Sequence, residues 1–188
     1  FRDLAGLGRA FWAVALLGMV FTLARFSEAF LILRAEGLGL PLAWVPLVLV
    51  VMNLVYAVTA YPAGAYSDRV DRRAILAVGL AVLIAADVVL ALATDVYTAF
   101  AGVALWGLHM GLTQGLFAAL VADTAPPDRR ATAFGWFNLA SGVVTLFASL
   151  IAGALWQWAG AAATFWAGGA FAALALAGLL AWRARRPH

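Results

Sequence analysis

The 188 residues include no cysteine and no lysine, and only 11% are charged, where about 25% is usual in a soluble domain. Without cysteine, disulfides and thiolate metal sites are excluded. Charge this sparse, beside 66% hydrophobic residues, leaves too little polar surface to clothe a domain in water, and it excludes a disordered chain as well. The sequence also lacks His-Glu-x-x-His, Gly-x-Ser-x-Gly, a P-loop and Gly-x-Gly-x-x-Gly. No enzyme chemistry, metal site or cofactor is therefore expected, and direct coupling to ATP within the chain is disfavoured.

What the chain has is long apolar runs. Crossing a bilayer core takes about 20 helical residues, and six stretches qualify, at about 11–33, 42–62, 74–94, 97–121, 131–156 and 161–182. Turn-forming segments separate them: Gly37-Leu38-Gly39-Leu40-Pro41, Gly64 through Arg73, Thr94-Asp95, Pro126-Pro127-Asp128 and Trp158-Ala159-Gly160. Short loops imply antiparallel neighbours. Runs such as Ala81-Val82-Leu83-Ile84-Ala85-Ala86 do not alternate in polarity, so barrel strands fit poorly. The first run is longer than the core of a cleaved leader and reads as a membrane helix.

A net charge of +3 could suggest a polyanion partner, but the arginines sit in short clusters between apolar runs, as topogenic charges do. No nucleic acid is implied. Arg2, Arg9, Arg69, Arg72, Arg73, Arg129, Arg130, Arg183, Arg185 and Arg186 fall on one side of a six-helix frame and Arg34 alone on the other. The positive-inside rule then puts both termini in the cytoplasm of a multi-pass protein, most simply in a bacterial inner membrane. Trp44, Trp156 and Trp158 fall near the outer face and Trp182 near the inner one, where aromatic belts form. The chain begins at Phe1, which reads as a fragment of a longer protein.

Two loops carry recognisable motifs. The first reads Gly64-Ala65-Tyr66-Ser67-Asp68-Arg69-Val70-Asp71-Arg72-Arg73. It resembles the major facilitator superfamily signature between a second and third helix, Gly-x-Leu-(Ala/Ser)-Asp-Arg-x-Gly-Arg-Arg, with Tyr66 in place of Leu and Asp71 in place of Gly. The second reads Asp123-Thr124-Ala125-Pro126-Pro127-Asp128-Arg129-Arg130-Ala131-Thr132-Ala133-Phe134-Gly135. It is similar to the same superfamily's Asp-x-x-Pro-x-x-x-Arg-(Gly/Ala)-x-Ala-x-Gly.

The resemblance implies an all-α membrane protein, a six-transmembrane-helix bundle of two inverted three-helix repeats, which is half of the superfamily fold. It implies that Asp68, with Arg69, Arg72 and Arg73, braces a cytoplasmic gate, the alternative being a basic loop that only sets topology, and Gly64 would let helix ends approach closely. An N-terminal half usually carries an Arg three residues before a Gln-Gly pair in its fourth helix. Here Gln114-Gly115 is preceded by Gly111, which favours the C-terminal half. Nor does the next helix carry a Gly-Pro-x-x-Gly-Gly run; it reads Ser141-Gly142-Val143-Val144-Thr145.

Ionisable groups in hydrocarbon cost about 2.5–3.5 kcal/mol each on insertion scales and so mark candidate sites. Arg25 and Glu28 lie three apart in the first run, on one face of a continuous helix. They could contact substrate, with Glu28 taking up a proton, or form a structural ion pair. His109, Thr113 and Gln114 lie in the fourth run; His109 could relay protons or hold helices together. Asn53 and Tyr56 could line a cavity or bond across helices, and isolated Asp87 would pair with a buried Arg or backbone donor, or bind a coupling ion. Gly107, Gly111 and Gly115, and then Ser141, Thr145, Ser149 and Gly153, recur every four residues, as close-packing stripes do.

The expected function is secondary transport of a small solute by alternating access. The expected partners are lipid, the solute and a missing N-terminal six-helix half. Two other readings remain open at the sequence level: a half-size transporter working with a second copy of itself, and a non-transporting scaffold or receptor on the same fold.

Overall fold

The computed structural model describes residues 7–67 and 70–184, the side chains of 182–184 excepted. Among the described residues the long elements are all helices: α1 (Arg9–Leu23), α2 (Ala29–Gly37), α3 (Pro46–Ser67), α4 (Arg72–Leu92), α5 (Val96–Thr124), α6 (Arg130–Ala159) and α7 (Ala161–Ala184). Single 3-10 turns at Leu42–Trp44 and Pro127–Arg129 lead into α3 and α6. Five helical stretches among the described residues are long and apolar enough to cross a membrane, namely Leu42–Ser67, Arg72–Leu92, Val96–Thr124, Pro127–Ala159 and Ala161–Ala181.

The first expected helix is not continuous. It breaks between Leu23 and Ala29, leaving a 15-residue α1 and a 9-residue α2. Neither Pro nor Gly lies in Ala24-Arg25-Phe26-Ser27-Glu28, so the cause is the hydrogen bonding around it. Thr22 Oγ1 donates to the Gly18 carbonyl at 2.7 Å, a back-bond that bends helices. The Ala24 and Arg25 N–H groups tighten onto the Phe21 and Thr22 carbonyls, at 3.1 and 3.0 Å. On the other side of the break, Ser27 Oγ accepts from the Ala29 N–H at 3.3 Å, and the Ser27 N–H donates to Ser149 Oγ of α6 at 3.2 Å. Several of the freed backbone N–H groups thus regain partners, as a helix broken in hydrocarbon requires. The Phe26 ring fixes the break in place, 5.3 Å from Phe30, 5.5 Å from Trp106 and 5.7 Å from Phe165.

Helix α5 is the centre of the bundle. It buries 56% of its most apolar stretch, against 11% for the stretches containing α3 and α6, and it packs on both α3 and α4 while α4 packs on α7. Small residues make these approaches possible. A Cβ at Gly107 would collide with the Met52 carbonyl, one at Gly111 with Thr59, and one at Gly79 of α4 with Thr113. Gly115 continues the same stripe yet meets nothing within 4 Å.

The helix ends are capped by identifiable groups. Arg34 of α2 reaches across to the C-terminus of α4, where Nε donates to the Leu90 carbonyl at 2.9 Å and Nη2 to those of Ala91 and Ala93 at 3.3 and 2.6 Å. At the start of α5, Asp95 Oδ1 accepts from the Thr98 N–H at 2.9 Å and Thr98 Oγ1 accepts from the Asp95 N–H at 3.4 Å, a reciprocal capping box. Only Gly160 joins α6 to α7, and its φ of 85° is open to glycine at no steric cost. Trp44 and Trp158 are exposed. Trp156, expected in the outer belt, turns inward instead, 5.6 Å from Phe30 and 6.3 Å from Phe165.

Candidate functional site

A cavity of about 530 Å³ opens beside the break between α1 and α2. Three elements supply its polar lining: Thr22, Arg25, Ser27 and Glu28 from the break and the end of α1, Gln114 from α5, and Asn138, Ser141 and Thr145 from α6. The rest is mainly aromatic, with Trp106, Phe21, Phe26, Phe117, Phe134 and Phe137. Phe21 and Phe117 stack at 4.6 Å.

Breaking the helix changes what Arg25 and Glu28 are. Instead of two positions on a helical face, they are residues of a non-helical segment at the cavity edge. The Arg25 guanidinium lies 5.7 Å from the centroid of the Phe21 ring, within the range of a cation–π contact. Its Nε is buried without a hydrogen-bond partner. Gln114 lines the same cavity, one turn beyond Met110 on α5.

His109 and Asn53 lie elsewhere. His109 is fully buried, with Nδ1 2.9 Å from the Gly79 carbonyl, to which it donates; Thr113 Oγ1 in turn donates to the His109 carbonyl at 2.8 Å. The imidazole touches the cavity wall from behind, 5.4 Å from Phe21. Asn53 is on an exposed part of α3, where Nδ2 donates to the Leu49 carbonyl at 2.8 Å. Asp87 was expected to pair with a buried donor. Instead both its oxygens are buried without a partner, on α4 beneath Gly168 and Gly169 of α7.

Of the first motif, Asp68 and Arg69 lie outside the described residues. Gly64 makes no close approach, having nothing within 4 Å of a would-be Cβ. Asp71 needs no glycine-like backbone: its φ is −54°, and its side chain caps α4 by accepting from the Arg73 N–H at 3.0 Å. Arg72 joins the two motif loops through an ion pair with Asp123 at 2.5 Å. The second stripe of small residues also divides. Ser141 and Thr145 face the cavity, Ser149 holds the break, and Gly153 lies against Phe30.

Sequence reasoning passed over Asn138 and Trp106. Asn138 stands three residues before Ser141 and seven before Thr145, on the same helical face, so extending the stripe by one turn would have found it. Trp106 carried no such signal, being one of eight tryptophans in an apolar chain.

Residues 11–188 match the family model described as Major Facilitator Superfamily. Among curated proteins, an uncharacterized MFS-type transporter of Methanocaldococcus jannaschii is 34% identical over 148 residues, covering 76% of this chain and 37% of that protein. The inner membrane transport protein YajR of Escherichia coli is 27% identical over 161 residues, covering 86% of this chain and 34% of that protein. The chain thus spans only about a third of the length of the relatives it matches.

Proposed function

Because the chain belongs to the major facilitator superfamily, as a membrane transporter and not an enzyme, we propose that it is one six-crossing half of a secondary transporter working by alternating access. α1 and α2 together make the first crossing. At 1.5 Å per residue their 15 and 9 residues rise about 36 Å, enough for a core of about 30 Å. α3 to α7 are the other five, and α1 to α4 and α5 to α7 are two inverted repeats. The Arg72 and Asp123 end is cytoplasmic, with Gly64, Asp68, Arg69, Arg72 and Arg73 as its gate. This half is the C-terminal one: α3 fills the space beside Gly111, where an N-terminal half would place an arginine.

One observation carries the reading. A helix broken within its span opens onto a cavity lined by polar groups from the break, α5 and α6, and discontinuous helices of this kind form substrate sites in transporters. Substrate binds there against the partner half, with Arg25, Glu28 and Gln114 in contact. Glu28 carries the coupling proton, and His109 and Asn53 support the path from outside the lining.

These 188 residues contain no cysteine, so only cysteines elsewhere in the full-length protein need replacing before the test. In the full-length protein, a single cysteine at Asn138 is labelled by a membrane-impermeant maleimide added from one side of proteoliposomes. Alternating access predicts that ligand or an imposed proton gradient changes the labelling rate, and that Glu28→Gln abolishes the gradient effect. Labelling indifferent to both, with no solute flux, would leave a scaffold or receptor as the better reading.

A further inference from the structure

We propose that the solute this cavity takes is an organic anion, its oxyanion group held by Arg25, Trp106 and Ser141 and its apolar body seated among the phenylalanine rings. This rests on the reading of the cavity as the substrate site. Six side-chain atoms or atom sets across the described residues are buried without a hydrogen-bond partner, and three of them line this one cavity: Arg25 Nε, Trp106 Nε1 and Ser141 Oγ. They come from the break, α5 and α6, so no single local distortion accounts for them.

The chemistry of the three groups is one-sided. Guanidinium and indole N–H groups only donate, and a hydroxyl can donate. A buried donor left unmet is costly, so the complementary ligand presents acceptor oxygens, and a charged oxyanion makes the strongest such bonds. A cation would meet Arg25 as a like charge and would leave the indole donor unused. Glu28 is the one acidic residue in the lining and lies within electrostatic reach of Arg25, so the anion competes with it for the guanidinium. Around these donors, Phe21, Phe117, Phe134 and Phe137 offer an apolar wall. The volume of about 530 Å³ suits a small organic molecule.

The test uses the full-length protein in nanodiscs of zwitterionic lipid and four probes of similar shape: benzoate, phenyl phosphate, benzamide and benzylammonium. Binding is read by calorimetry. The two anions are expected to bind, and benzamide and benzylammonium much more weakly. Arg25→Gln should weaken anion binding about 10- to 100-fold. Trp106→Phe, which keeps the ring and removes the N–H, should weaken the anions several-fold and leave benzamide unchanged, giving a second measure if the Arg25 variant does not fold. Adding anionic lipid distinguishes a free anion from a headgroup phosphate: competition that abolishes benzoate binding would give the site to lipid and overturn the proposal. Preference for benzylammonium, no binding by either anion, or equal anion binding in both variants would also overturn it. Cation flux through the reconstituted protein would sink this inference and spare the transport reading. Anion binding without flux under any gradient would do the reverse.

Discussion

The backbone N–H of Ser27, inside the break between α1 and α2, donates to Ser149 Oγ on α6 at 3.2 Å. Two residues 122 positions apart are thus joined where one is short of an acceptor and the other stands in a row of small residues. The bond ties the edge of the cavity to the helix that supplies its opposite wall. Movement of α6 is therefore felt at Arg25 and Glu28 without any intermediate element.

Ser149→Ala removes that acceptor and leaves the Ser27 N–H unpaired. Interhelical hydrogen bonds in membranes average about 0.6 kcal/mol and reach about 1.7, and this one should fall toward the upper end because its donor has lost its own helix. Unfolding in graded detergent should show the loss, and Ser149→Thr should recover most of it. An unchanged stability in Ser149→Ala would mean that the break is held by Phe26 packing alone.

Arg34 does for α4 what a C-terminal glycine does elsewhere, placing a fork of donors on three end carbonyls. Arg34→Met keeps much of the stem and removes the fork, at an expected cost of about 1.5–3 kcal/mol for hydrogen bonds to a charged group. Arg34→Lys keeps the charge near the helix end but cannot span all three oxygens, so it should recover only part. The same unfolding series separates the two; equal losses would show that charge contributes nothing.

Much of the architecture was legible because hydropathy is a property of each segment by itself: α3 to α7 follow from apolar length and from the punctuation at Asp71, Asp95, Pro126 and Gly160. The break was not legible, since it depends on Ser149, far along the chain, and on no proline or glycine. For the same reason the i, i+3 spacing of Arg25 and Glu28 implies a shared helical face that the break removes. The cavity was legible in its ionisable members but not in Trp106, whose role arises only once Phe26 leaves the helix and packs on it. A periodic pattern names residues on one face and cannot say what lies opposite. Gly107 meets a backbone and Gly115 meets nothing within 4 Å.

That contrast gives a paired prediction. Gly107→Ala must force α5 away from the Met52 carbonyl, and overpacking of this kind costs about 1–3 kcal/mol. Gly115→Ala adds a methyl group in open space and improves helix propensity by up to about 1 kcal/mol, so it should be neutral or stabilising. Thermal denaturation of the two variants in one detergent decides it. Equal destabilisation would contradict the packing described for α3 against α5.

Asp95 gives a prediction in pH. It lies outside the membrane-crossing stretches, and its carboxyl is held below its ordinary 3.8, chiefly by accepting the Thr98 N–H. A carboxylate whose folded value is depressed contributes stability that is fully present above the unfolded value and is lost as pH falls through the folded one. Asp95→Asn keeps a good N-cap but cannot titrate. The melting temperature of the wild type should therefore fall, relative to Asp95→Asn, as the pH drops below the ordinary carboxylate value, while the difference stays constant at higher pH. The cap sits at the start of the most buried helix, so its loss should be felt in global unfolding and not only as local fraying. A difference curve flat across the acid range would show that the capping box does not form.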